Sequence, residues 1–456
     1  MVSEPVRICP TAEELPEGWQ VRRLGSFCTK IGTGATPRGG SEVYLNSRVS
    51  HALVRSQHVF DRHFDTTGLA FISDSHAREL RNAEVRAGDV LLNITGDGVT
   101  FGRSCIIPDR VLPACVNQHV SIIRPDRREC DPGYLLSVFT HPATKGYIES
   151  FNSGGSRRAI TKGHIESFEI PLPPLTEQQT IAAVLGALDD KIELNRRMNA
   201  TLEAMARALF QSWFVDFDPV RAKLDGRLSA NLDPATAALF PASFQDSELG
   251  HIPKRWEIGK VGDLADFSRS SVNPGEFPDE VFDHYSMPAF DEGRTPKAEL
   301  GSTIKSNKLV VSQDSVLLSK LNPHIPRTWI PDLHGTRRSV CSTEFIVATP
   351  REGYSREFLF SLFKSAAFAS TYGTLVTGTT GSHQRIRPES VLEMSTAIPP
   401  FQLVEAFTTI TKPMLDQTNR NIDQSHTLAT LRDTLLPKLL SGELSVASLE
   451  SRQARS

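Results

Sequence analysis

The chain has 456 residues, 39% hydrophobic and 23% charged, with a formal net charge of −3. That is an ordinary soluble globular composition with room for two or three domains. It excludes a protein coated in positive charge, though not a nucleic-acid binder with local basic clusters. No run approaches the roughly 18 apolar residues of a membrane span. The opening MVSEPVRICP lacks the apolar core and small-residue cleavage site of a secretion signal, so a cytoplasmic protein without membrane partners is expected. Cys9, Cys28, Cys105, Cys115, Cys130 and Cys341 form no CxxC pair and have no histidine at zinc-finger spacing. They are read as reduced core thiols, and no metal site is expected.

In chain order, a short alternating strand, WQVRRL, is followed by apolar strands such as DVLLNI and HVSIIR, then an apolar helix, YLLSVFTH. A Gly/Ser loop leads to IPLPPL, whose Pro171, Pro173 and Pro174 cannot lie inside a helix and so force an entry point. Thr176 with Gln179 reads as a capping box. From there only Gly186 interrupts until DFDP at Asp216, enough for about 40 residues, or about 60 Å, of helix. Leu188, Ile192, Asn195, Met198, Leu202, Met205 and Leu209 step close to a 3.5 repeat. The flanking Asp189, Asp190 and Lys191 read as a solvated face.

The same order then recurs. WEIGKV echoes WQVRRL, DSVLLSKLNPHIPRTWIPD echoes GDVLLNITGDGVTFGRSCIIPD, AIPPF echoes IPLPPL, and LATLRDTLL echoes LEAMARALF. Between the echoes lie KLVV, EFIVA and the apolar helix FLFSLFKSAAFAS. Four echoes in register point to a tandem duplication. The second long helix carries its stripe through Leu415, Ile422, Leu428, Leu431, Leu435 and Leu439, with Pro413 and Pro437 expected to shorten or kink it and Gln402 a poor cap. Two matched, narrow stripes predict an antiparallel coiled coil, with Asn195 in the seam as a register device. The fold expected is α+β: two tandem mixed α/β domains separated by two long helices, related by an approximate two-fold axis, the symmetry of duplex DNA. The boundaries read are 1–175 for the first domain, 176–217 for the first helix, 218–397 for linker and second domain, and 398–456 for the second helix and tail.

PLPPLTEQQTIAAVLGALDDKIELNRR with LFQSWFVDFDPVRAK, LRDTLLPKLLSGEL, and the paired openings LPEGWQVRRLG and LGHIPKRWEIGKVGDL resemble the specificity subunits of Type I restriction–modification systems over nearly the whole chain. The resemblance implies two target-recognition domains, each reading one half of a split double-stranded DNA site. It implies helices that set the spacer and dock two modification (methyltransferase) subunits, with restriction (endonuclease/translocase) subunits recruited to unmodified DNA. It also implies no catalysis by this chain alone, with S-adenosylmethionine, ATP and Mg on the partner subunits only. An alternative reading is a coiled-coil interaction scaffold that does not read DNA.

The residues themselves show no enzyme motif. IPPF has Ile398 where an amino-methyltransferase loop needs Asn, and GxGxxG, GxxxxGK[ST], HExxH and G-x-S-x-G patterns in their required context are all missing. Phosphate contact needs cations, hydroxyls and backbone amides, and base reading needs Arg, Asn or Gln. On that chemistry the first half offers Thr36 and Arg38 in TGATPRGG, Arg103 in TGDGVTFGR, and Arg157, Arg158, Thr161 and Lys162 in NSGGSRRAITKGH. The second half offers Lys320, Asn322 and Arg327 in SKLNPHIPR, and His383, Gln384, Arg385 and Arg387 in TGTTGSHQRIR. Each of these loops also reads as an ordinary solvated turn. Trp213 and Phe214 at the helix exit read either as a subunit-docking surface, together with Leu188, Ile192, Asn195, Leu202, Leu428, Leu431 and Leu435, or as a plug into their own domain.

Overall fold

The structure is a computed structural model and describes residues 15–96, 99–151, 158–227, 232–333, 335–376 and 384–444. The chain is α+β, with two long helices, Leu175–Phe214 and Phe401–Leu440, and divides into two compact units. The first comprises Met1–Glu193 with Thr427–Ser456, the second Leu194–His426. No helix among the described residues is long and apolar enough to cross a membrane.

In the first unit an antiparallel sheet runs Ser104–Ile106, Val90–Asn93, Val120–Pro125, Cys28–Thr33. A second sheet runs Ala70–Ile72, His51–Val54, Ala114–Val116, Glu84–Val85, with one parallel pair, His51–Val54 beside Ala114–Val116. The apolar run VLLN is explained by burial of both faces. Val90 and Leu92 face the helical side with Tyr134, Leu135 and Phe139, while Leu91 faces the second sheet with Val54 and Cys115.

The second unit repeats this plan. Its antiparallel sheet runs Thr328–Trp329, Val316–Ser319, Phe345–Pro350, Ala265–Ser268. Its second sheet has five strands and again one parallel pair, Val281–Tyr285 beside Ser339–Cys341. Val316 and Leu318 face one core and Leu317 the other. In each unit the opening strand pairs with the strand that carries the stop before the long helix: Gln20 opposite Leu172, and Glu257 opposite Ile398. The segment FLFSLFKSAAFAS forms two helices, Arg356–Phe363 and Ala366–Thr374, because Ser365 caps the second through the Phe368 amide.

The first long helix begins at Leu175, one residue before the expected cap. Thr176 lies inside its first turn, and the amides of Glu177 and Gln178 bond the Pro174 carbonyl. The tether is the buried Gln178, which accepts from the Asp131 amide and donates to the carbonyls of Glu129 and Pro173. The inward positions are Ile181, Leu185, Leu188, Ile192, Asn195, Asn199, Leu202, Ala206, Leu209 and Trp213, alternating steps of four and three. Met205 is 49% exposed and Ala206 takes its seam position, while Met198 and Asn199 are both half-buried and Asn199 makes the polar contacts across the seam. It donates to the Thr418 carbonyl and accepts from Asn421, bonds that a thioether does not make.

The second helix runs unbroken through Pro413 and Pro437, which corrects the expected shortening. Pro413 is exposed, and so is Thr409, whose carbonyl loses its i+4 donor where water can replace it. Leu431 is 48% exposed and off the stripe, with Leu428 and Leu435 half-buried and Arg432 inward between them.

Within each unit the two helices run antiparallel. In the first, Ile181 and Leu185 share a core with Leu436, Leu439 and Leu440, and Asp189 bonds Arg432. In the second, Asn195 donates to the Asn421 carbonyl, Gln424 and Ser425, while Phe210 and Trp213 pack on Phe407. Trp213 and Phe214 are 2% and 8% exposed in this core, so the plug reading holds and their rings offer no docking surface. Asp189 is not on a solvated face: it accepts from Arg62 at 2.7 Å and Arg432 at 2.7 Å. The five described cysteines are free, four of them buried, and Cys9 lies outside the described residues.

Glu203 of the first helix sits between Arg294 and Lys364. Burial raises its pKa, but the two cations outweigh burial and hold it below the usual 4.5. A lowered folded-state pKa stabilises the fold above the unfolded value and loses that contribution as pH falls. Denaturation from pH 6 downward is therefore expected to show stability falling once pH drops below 4.5, and Glu203→Gln should lose less over that limb. Parallel pH curves for the two proteins count against the assignment.

Candidate nucleic-acid interface

Three segments meet at one end of the first unit. The Ile94 amide donates to the His119 carbonyl at 3.0 Å, and the Ile160 amide to the Ile94 carbonyl at 2.9 Å. Beside them Arg158–Ala159 pairs with Thr95–Gly96. The loop after Cys28–Thr33 joins them because Gly34 permits close approach: a Cβ there would lie 1.7 Å from the Val116 carbonyl oxygen. The polar surface so formed links Thr36, which donates to Gln118, with His119, whose Nδ1 lies 2.6 Å from Thr95 Oγ1. Gly39 at φ +94° and Gly40 at φ +60° make the turn that presents the exposed Arg38.

The second unit builds the same junction. The Lys320 amide donates to the Glu344 carbonyl at 3.0 Å, the Ile386 amide to the Lys320 carbonyl at 3.0 Å, and Leu321 bridges Arg385. The backbone bonds correspond one for one, so Lys320 stands where Ile94 does, Glu344 where His119 does, and Arg385 where Ala159 does. The side chains differ. Arg385 makes a two-pronged pair with Glu344 at 3.1 and 2.8 Å. Asn322 adopts φ +51°, its backbone amide donates to the Gln384 carbonyl, and its buried Oδ1 accepts no hydrogen bond from the described residues.

The remaining sequence candidates divide by what already holds them. Arg157 and His383 lie outside the described residues, and Arg158 is described by its backbone alone. Thr161 caps the short helix Lys162–Glu166 through the His164 amide, and Lys162 pairs with Glu166 at 3.4 Å. Arg103 stacks on Phe60, its guanidinium 4.5 Å from the ring centre. Arg327 is 11% exposed in a two-pronged pair with Asp291, so it anchors its hairpin rather than offering a free charge. Lys320 and Gln384 are half-buried, and Arg387 is exposed just before the helix Pro388–Leu392. Gln118 and His119 in the first junction, and Glu344 in the second, were not legible as candidates. They follow apolar strands and carry no glycine or basic signal. Among the described residues no cluster of His, Cys, Asp or Glu is placed to hold a metal ion.

Residues 16–204 match the family model for the Type I restriction modification DNA specificity domain. Over 96% of its length the chain is 23% identical to the Type I restriction enzyme MjaIX specificity subunit of Methanocaldococcus jannaschii, covering 96% of that protein. It is also 23% identical to the HindI specificity subunit of Haemophilus influenzae, over 79% of this chain and 87% of that one. Among solved structures, the S subunit of a Type I restriction–modification system from M. genitalium superposes with a TM-score of 0.53 at 13% identity, covering 95% of this chain and 98% of that one. Residues 16–204 thus match the Type I DNA specificity domain, the chain is similar to Type I specificity subunits over most of its length, and it shares its fold with the M. genitalium S subunit.

Proposed function

We propose that each unit reads one half of a split DNA site through its three-segment junction, and that the long helices set the gap and dock two modification subunits. The observation that carries the reading is the repeated junction: an identical backbone framework holds Thr36, Thr95, Gln118 and His119 in one unit and Lys320, Asn322, Glu344 and Arg385 in the other. Gln, Asn and Arg are the side chains that pair with base edges, so two different sets on one framework suit two different half-sites. The target-recognition domains would span 1–175 and 218–397, with helices at 176–217 and 398–456. In this reading the chain is cytoplasmic and non-catalytic by itself. Methylation and cleavage belong to modification and restriction subunits, with S-adenosylmethionine, ATP and Mg bound there and the target adenine flipped into the partner's pocket.

A base-resolution map of adenine methylation, in cells expressing this chain with its modification subunit and in cells lacking the chain, tests it. A split motif with a constant gap, present only with the chain, is the expected result. No new methylation, from a modification subunit active with another specificity chain, overturns DNA reading in favour of a scaffold role.

A further inference from the structure

A cleft of about 820 Å³ opens in the first unit, and every charged side chain lining it is an arginine: Arg48, Arg55 and Arg110. Arg110 is offset by Glu193 at 3.7 Å. Arg48 and Arg55 have no carboxylate partner among the described residues. Arg48 donates to the carbonyls of Val111 and Leu112 at 2.6 and 2.9 Å and lies 5.5 Å from the Phe71 ring centre. Arg55 donates to the Gly68 carbonyl at 2.7 Å, lies 5.6 Å from the Tyr44 ring centre, and keeps a buried Nε with no hydrogen-bond partner among the described residues. Two other buried arginines of the unit do face acids: Arg62 meets Asp189 and Arg124 meets Asp89, both at 2.7 Å. Two guanidinium groups held by carbonyls and ring faces, without a counter-ion, leave donors and net charge for an anion.

The cleft adjoins the junction. Arg55 follows Val54, whose carbonyl accepts from the Asn117 amide at 2.9 Å, and the wall residues Ser41 and Tyr44 continue the loop that carries Thr36 and Arg38. We propose that Arg48 and Arg55 form a phosphate-binding cleft that grips the DNA backbone beside the base pairs read by the first unit. The proposal rests on the DNA-reading function above. Its role is positioning: phosphate contacts fix register and leave sequence choice to base contacts.

The test uses the full chain assembled with its modification subunits, and a duplex carrying the motif from the methylation map. Each phosphate neutralised contributes about 0.9 to the slope of log affinity against log salt. Replacing both arginines by glutamine is expected to flatten that slope by about 2, while the motif stays unchanged. R48K/R55K, which keeps both charges, should restore the slope. Phosphate-ethylation interference should lose a signal beside the first half-site only, and R55Q alone serves if the double variant does not fold. An unchanged slope with wild-type interference overturns the proposal. A thermal stabilisation by inorganic phosphate that R48Q/R55Q abolishes, without change in the DNA slope, assigns the cleft to free phosphate and overturns the DNA-backbone role. A wild-type assembly without sequence-dependent binding removes this inference together with the proposed function, whereas motif-specific binding with an unchanged slope removes this inference alone.

Discussion

Phe407→Ala is expected to destabilise the second unit by about 3–5 kcal/mol. Phe407 is fully buried, with the rings of Phe210, Trp213, Phe214 and Phe358 at 5.8, 6.1, 5.3 and 6.3 Å between centres. It joins the two long helices to the domain core within that unit, so truncation removes buried area and leaves a cavity bordered by four aromatic rings that have little freedom to close in. Phe401, on the same helix but 55% exposed, is the control, and its alanine variant is expected to cost under about 1 kcal/mol. Urea unfolding followed by tryptophan fluorescence suits the comparison, because Trp213, Trp256 and Trp329 all lie in the second unit. Equal costs for the two variants would falsify the view of Phe407 as the hub.

Asp189→Ala is expected to cost the first unit about 3 kcal/mol, because removing one partner of a buried ion pair strands the other; Arg62 is the one stranded, since Arg432 keeps Asp433 at 2.7 Å. Arg62 is 5% exposed and Arg432 16%, and Asp189 is the carboxylate between them. Arg62 also donates to Thr140 and Ser137 at 2.9 Å, which holds its head group in place whether or not the carboxylate is there. Its burial already lowers its pKa against the pull of Asp189, so the uncompensated charge has no easy route to solvent. The neighbouring Asp190 is exposed, and its alanine variant should unfold like the wild type. Thermal unfolding of the two variants decides the matter: if Asp189→Ala melts with Asp190→Ala, the triad contributes nothing.

The most legible features were local or repeated. Proline geometry at Pro171, Pro173 and Pro174 places a helix entry whatever surrounds it. A 3.5-residue pattern survives individual errors, which is why the stripe holds while Met205 and Leu431 lie off it. Apolarity alone does not separate an inward position from its neighbour one step around the helix, and the hydrogen bonds of Asn199 and the ion pair of Arg432 decided those positions. The prolines of the second helix misled for a related reason: intrinsic propensity is a weak prior, and packing along Leu403, Val404, Phe407 and Leu415 outweighs two lost bonds on its outer side.

By itself, then, the sequence determined the duplication, the two entry points and two helices, and the polar loops that each half carries, because these follow from short-range sterics and from comparing the chain with itself. Only the tertiary structure decided which loops meet and which cations remain available. Thr36 reaches Gln118 across 82 positions, Arg327 is taken by Asp291, and Arg48 and Arg55 face one cleft with no acid among its described lining residues. Such contacts come from stacking one sheet on another. Strand pairing brings together residues far apart in the chain, and no local pattern in either partner encodes the distance.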